Sequence, residues 1–118
     1  MLIDNIKYKK SLIEVFSGHI DKSDYIAGSS VLKFEKKFSK INNSKYCISC
    51  ANGSDALQIA LKALNVKPGD EVITTSLSWV ATSASITSVG AKVIFCDIEK
   101  NGFNIDVELI KKKINKKK

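Results

Sequence analysis

The sequence predicts an α/β fold, a βαβαβ unit over residues 45–118 preceded by two helices in an N-terminal segment, 1–44. Two observations carry it. From about residue 45, short β-prone runs alternate with stretches of helical apolar spacing, the order expected of strands that run parallel. Val93-Ile94-Phe95-Cys96 is a continuous apolar run, which suits a parallel strand covered on both faces.

Asp4 to Phe16 keeps Tyr8, Leu12, Val15 and Phe16 on one helical face, and Ser17-Gly18 is expected to end that helix. His19 to Ser30 reads as a surface loop in which His19, the only histidine, has no evident partner. After Ser29-Ser30 a second helix places Val31, Phe34, Phe38 and Ile41 on one face and lysines on the other, until the turn Asn42-Asn43-Ser44. Residues 46–50 read as a first strand, and Leu57, Ala60, Leu61 and Leu64 form the stripe of the next helix. Pro68-Gly69 suits a type II turn before a strand at Glu71 to Thr75. Ser76 or Ser78 is expected to cap a small-sided helix from about Trp79 to Val89, ended by Gly90. Lys92 to Ile98 is the third strand. Asn101-Gly102 turns the chain, and Asp106 caps a last helix with Val107, Ile110 and Ile114 inward.

The chain of 118 residues suffices for one core. No apolar run is long enough to span a membrane and no apolar leader opens the chain, so a cytoplasmic protein is expected. All 19 basic residues are lysine. Six lie at 111–113 and 116–118, and the remaining 13 barely exceed the 12 acids. The charge is thus terminal rather than a basic face. Without arginine or interleaved aromatics it does not point to nucleic acid. Three cysteines make a disulfide framework an unlikely scaffold, and Cys47 and Cys50 are expected as buried strand residues. No metal site is expected, since Cys96 and His19 are the only other such ligands.

The stretch Cys50-Ala51-Asn52-Gly53-Ser54-Asp55-Ala56-Leu57 concentrates the chemistry. It reads as a strand end, a polar turn and a first helical turn, with Gly53 free to adopt a conformation closed to other residues and Ser54 or Asp55 as cap. Free N–H groups at the positive end of a helix attract an anion, phosphate above all. A plain cap satisfies the same residues, and both readings stand at this point. Neither the dinucleotide fingerprint nor the P-loop is present. Trp79, the only tryptophan, follows the second strand and either stacks on a flat ligand or serves as a core or lid residue.

Four separated blocks resemble the DegT/DnrJ/StrS family of pyridoxal-phosphate-dependent aminotransferases, which aminate nucleotide-linked keto sugars. They are residues 51–57, 66–73, 78–82 and 90–98, in order and spacing, with 25–28 and 31–38 similar to the family's preceding segment. The resemblance implies the large domain of a fold-type I transferase. It implies that Gly53, Ser54 and Asp55 hold the phosphate of pyridoxal 5′-phosphate, that Trp79 stacks on its ring, and that Gly28 falls near the active site. Thr75 stands where the family often has proline, and Ser54 where it often has threonine. It further implies a homodimer acting on a nucleotide sugar with an amino-acid donor, in polysaccharide or cell-surface glycan synthesis.

The family's chains are several-fold longer, and the lysine that links to the cofactor and the acid that pairs with its ring nitrogen lie in later motifs. The chain is therefore expected to be an N-terminal fragment, inactive alone, with no catalytic residue of its own. Two rivals remain: a stand-alone phosphate- or nucleotide-binding α/β module, and a basic interaction protein acting through its lysine tail.

Overall fold

A computed structural model describes the backbone of residues 2–114 and the side chains of 7–114. The helix continuation expected at 115–118, with Lys116, Lys117 and Lys118, lies outside the described residues. The chain divides into two compact units, Met1–Ser49 and Cys50–Lys118.

The first unit holds α1 (Leu2–Asp21) and α2 (Ser29–Ile41). The first helix does not stop at Gly18, as expected. A single glycine costs a helix only about 1 kcal/mol, and the helix continues past it to Asp21. It ends in a Schellman closure. Ser23 turns left-handed (φ 53°), its N–H donates to the Ile20 carbonyl at 3.0 Å, and the Asp24 N–H donates to the His19 carbonyl at 3.1 Å. His19 therefore lies in a helix rather than a loop. The second helix closes the same way at Asn43 (φ 49°), within the expected turn.

Residues 46–50 form no strand, contrary to expectation. A strand is defined by a ladder partner, and among the described residues none pairs with this run. The Glu35 carboxylate instead accepts from the Ser49 N–H at 2.8 Å and hydroxyl at 2.6 Å. Those two bonds hold the Glu35 carboxyl below its ordinary value. The cysteines expected buried in this strand are not: Cys47 is half-buried and Cys50 exposed, whereas Cys96 is buried.

The second unit runs α3 (Gly53–Ala63), β1 (Glu71–Thr75), α4 (Val80–Ser88), β2 (Lys92–Cys96) and α5 (Val107–Lys113). The strands pair in parallel, Glu71 opposite Lys92 through Thr75 opposite Cys96, giving a two-stranded sheet rather than three. Lys92 Nζ lies 3.4 Å from the Glu71 carboxylate across the pair. Pro68 and Gly69 (φ 96°) make the expected type II turn, closed by the Asp70 N–H on the Lys67 carbonyl at 3.1 Å. Helix α3 ends through left-handed Asn65 (φ 59°), and α4 through Gly90 (φ 82°). A Cβ on Gly90 would also lie 2.7 Å from Pro68 Cγ, so the helix end and the turn touch.

The core is small. Ile86, Val89 and Ala91 are buried, with Leu61, Val66, Val72 and Val93 packed against them. The small side chains of α4 let it lie against α3 as well as the sheet. Asp106 caps α5 as expected, accepting from the Glu108 and Leu109 N–H groups at 2.8 and 3.1 Å.

Candidate functional site

Neither Ser54 nor Asp55 caps α3. Asn52 does: its Oδ1 accepts from the Asp55 N–H at 3.0 Å, and its carbonyl accepts from the Ala56 N–H at 3.1 Å. Its side-chain N–H donates back to the Asp55 carboxylate at 3.0 Å, so the two side chains brace each other as in a capping box. An asparagine followed by small polar residues was the signal for this cap, and the choice among them was not resolvable by propensity, since Asn, Asp and Ser cap about equally well.

That arrangement decides what remains free. The first four N–H groups of a helix lack internal partners. Asn52 takes those of Asp55 and Ala56, while the N–H groups of Gly53 and Ser54 have no partner among the described residues. Gly53 does not need the left-handed region, contrary to the expected reason for a glycine there. What distinguishes it is room: a Cβ at Gly53 would have nothing within 4 Å. Ser54 is half-buried and Gly53 exposed. Two unengaged N–H groups, the adjoining Ser54 hydroxyl, the positive helix end and open space suit a phosphate. The one nearby acid, Asp55, is tied sideways to Asn52.

One positioning residue went unnoticed in the sequence. Ser85 is 2% exposed, its hydroxyl donates to the Ala81 carbonyl at 2.6 Å, and it lies 3.5 Å from the Ser54 carbonyl. It thereby seats the first turn of α3 on the middle of α4. Ala81 and Ser85, small and four apart, were the available signal.

Trp79 occupies the N-cap position of α4, where the chain leaves β1, and is 80% exposed. Neither Ser76 nor Ser78 caps this helix; the Ser78 hydroxyl bonds the Thr82 hydroxyl at 2.8 Å, and Thr75 Oγ1 accepts from the Leu77 N–H at 3.1 Å. An indole this exposed contributes little to the core, which removes the core reading and leaves a face available for stacking. Gly28 lies in the other unit, at the N-cap of α2, with the Asp24 carboxylate folded over it. Among the described residues there is no cluster able to hold a metal ion, and no helix is long and apolar enough to cross a membrane.

A parallel strand pair, a turn with two unpartnered N–H groups at the start of a helix and an exposed indole after a strand stand together in one α/β unit, whose strand ends are where such sheets bind ligands. The chain belongs to the DegT/DnrJ/EryC1/StrS aminotransferase family, whose model matches residues 7–118. It is 46% identical over 86 residues to the UDP-2-acetamido-2-deoxy-3-oxo-D-glucuronate aminotransferase of Pseudomonas aeruginosa, covering 73% of this chain and 24% of that one. It is 36% identical over 110 residues to the dTDP-3-amino-3,6-dideoxy-alpha-D-galactopyranose transaminase of Aneurinibacillus thermoaerophilus, covering 93% of this chain and 30% of that one. The fold matches the crystal structure of a DegT DnrJ EryC1 StrS aminotransferase from Brucella abortus with TM-score 0.84 and 31% identity, over 92% of this chain and 29% of that one. The chain thus spans 24–30% of the length of these relatives.

Proposed function

We propose that this chain is the N-terminal segment of an aminotransferase that transfers an amino group to a nucleotide-linked keto sugar, and that its task is to bind pyridoxal 5′-phosphate. The observation that carries the reading is the pair of unengaged N–H groups at Gly53 and Ser54 at the start of α3, where a Cβ on Gly53 would meet nothing within 4 Å. In this role the Gly53 and Ser54 N–H groups and the Ser54 hydroxyl receive the phosphate. Asp55 keeps the turn in shape through Asn52, and Ser85 holds the turn against α4. The exposed ring of Trp79 covers one face of the pyridine. When bound, the cofactor supplies the electron sink that amino transfer requires. The chain's own residues orient it and shield one side of its ring. The setting is the cytoplasm, within a homodimer, and the product feeds polysaccharide or cell-surface glycan synthesis.

A stand-alone binding module is the weaker reading. Phe16, Ile41, Ile48 and Phe103 are 68, 80, 82 and 85% exposed, and apolar surface on this scale belongs against other protein.

The test uses pyridoxamine 5′-phosphate, which forms no covalent link with surface lysines, and equilibrium dialysis of the protein that carries this segment. Losing a hydrogen bond to a charged group costs roughly 1.5–3 kcal/mol, so Ser54→Ala is expected to weaken binding by about 10-fold or more. Trp79→Ala is expected to weaken it as well. Unchanged affinity in both variants would sink the site assignment.

A further inference from the structure

The first unit contains a serine hydrogen-bonded to a histidine, with an aspartate beside that histidine, none of which the proposed cofactor site uses. Ser30 Oγ lies 2.7 Å from His19 Nε2, and His19 Nδ1 lies 3.5 Å from Asp24 Oδ2. The Schellman closure of α1 at Ser23 brings Asp24 back beside His19, and Ser30 comes from the first turn of α2. Asp24 is itself fixed. Its Oδ2 accepts from the Ser29 hydroxyl at 2.8 Å and the Ser29 N–H at 3.1 Å. Gly28 is obligatory beneath it, because a Cβ there would lie 2.6 Å from Asp24 Cγ. Nucleophile, base and orienting acid thus stand in the order that activates a hydroxyl.

The adjoining donors fit that chemistry. Of the first amides of α2, Asp24 takes that of Ser29, and the Gly28 carbonyl takes those of Val31 and Leu32. The Ser30 N–H has no partner among the described residues. An oxyanion formed at Ser30 would meet that N–H at the positive end of a helix. The three residues line a polar cleft of about 220 Å³ together with Lys22, Lys33 and Glu14. The side chains of His19 and Asp24 are 26% and 25% exposed, so small reactants and water reach them. Helix capping does not explain the arrangement: Asp24 and Gly28 take the amides of Ser29, Val31 and Leu32 without His19.

We propose that Ser30 is a nucleophile activated by His19, with Asp24 as a positioning residue, and that this site cleaves short-chain esters. As the Ser30 Oγ–carbon bond forms, the hydroxyl proton passes to His19 Nε2. The ester C–O bond then breaks, and His19 returns the proton to the departing alcohol. Water repeats the sequence, giving its proton to His19, and releases the carboxylic acid and the free Ser30 hydroxyl. The proton on Nδ1 stays facing Asp24 throughout. The site is independent of the cofactor turn and stands or falls separately from it.

The test is acetylation of the protein that carries this segment by p-nitrophenyl acetate, read as p-nitrophenolate release and by mapping the acetylated peptide. The expected result is acetyl on the peptide carrying Ser30. Ser30→Ala and His19→Gln should each slow release by about 100-fold, the scale of lost general-base catalysis. Ser30→Cys should restore covalent attack. Asp24→Asn should slow release while helical content stays unchanged, and Asp24→Glu should recover part of the rate. Acetyl on lysines with Ser30 unmodified, or equal rates in the parent and Ser30→Ala, would overturn the proposal.

Discussion

Gly53→Ala separates the two things a glycine can do at the start of α3. A glycine required by backbone strain makes its alanine variant unstable. A glycine required by a ligand makes the variant stable but weak in binding. Gly53 is not left-handed, and its added Cβ would meet nothing within 4 Å. With no clash and no strain, the substitution removes freedom from the unfolded chain and is expected to stabilise by about 0.4–1 kcal/mol. The same methyl adds bulk at the turn where the phosphate is proposed to sit. Disrupting one bond to a charged acceptor costs roughly 1.5–3 kcal/mol, or about 10- to 150-fold in affinity. Urea unfolding of the chain measures the first effect. Dialysis against pyridoxamine 5′-phosphate, in the protein carrying this segment, measures the second. A loss of more than about 1 kcal/mol in stability would refute the open-space argument. Unchanged affinity would refute the phosphate cradle.

Gly90→Ala should behave oppositely: at φ 82° with Pro68 Cγ 2.7 Å from the added Cβ, it should cost about 1–2 kcal/mol from backbone strain alone, measured in the same urea series. Asn52→Ala removes the cap and its brace to Asp55 and should cost about 0.5–2 kcal/mol, seen as a lowered unfolding midpoint. Glu35 and Asp24 both have lowered carboxyl pKa values, held by bonds from Ser49 and from Ser29 respectively. A depressed folded pKa contributes stability above the unfolded value that is lost as pH falls through the folded one. The Ser49 and Ser29 amides should therefore keep their protection from hydrogen exchange near neutral pH. They should lose it only as pH falls below the ordinary values of 4.5 and 3.8, and loss of protection above pH 4.5 would contradict the bonding described.

The parts of the fold legible in the sequence were those decided locally. Apolar spacing located α1, α2, α3 and α5, small residues ended by Gly90 located α4, Pro68-Gly69 located its turn, and Asp106 its cap, because each depends on a few neighbouring residues. The errors came where a distant partner decides. Nothing in Ser17-Gly18 shows that the helix continues until Ser23 can turn left-handed. His19 looked solitary because Asp24 and Ser30 reach it only after that closure and the start of α2. At the turn before α3 the residue types were legible, but the division of labour was not. Asn52 proved to be the cap, which frees the Ser54 hydroxyl that a capping Ser54 would have engaged.

Residues 46–50 show how a strand can be written in a sequence and still not form. Tyr46-Cys47-Ile48-Ser49-Cys50 has the β-prone side chains of a buried strand, yet Ile48 is 82% exposed. Side chains of this kind are favoured in strands because they pack against neighbours, not because the backbone demands it. Their pattern therefore describes a surrounding as much as a conformation. β1 and β2 pair only with each other among the described residues. A parallel sheet of only two strands, with β1 half-buried throughout, is an unusual state, because such sheets are normally enclosed on both faces. The exposed Trp79 fits the same account, being placed for a ring rather than for a core. The strand-like run, the two-stranded sheet and the indole each call for a neighbour, and in relatives of which this chain spans 24–30% there is ample further chain to supply the first two. The third is what the proposed cofactor ring would cover, and on that proposal the turn at Gly53 and Ser54 and the ring at Trp79 belong to one site.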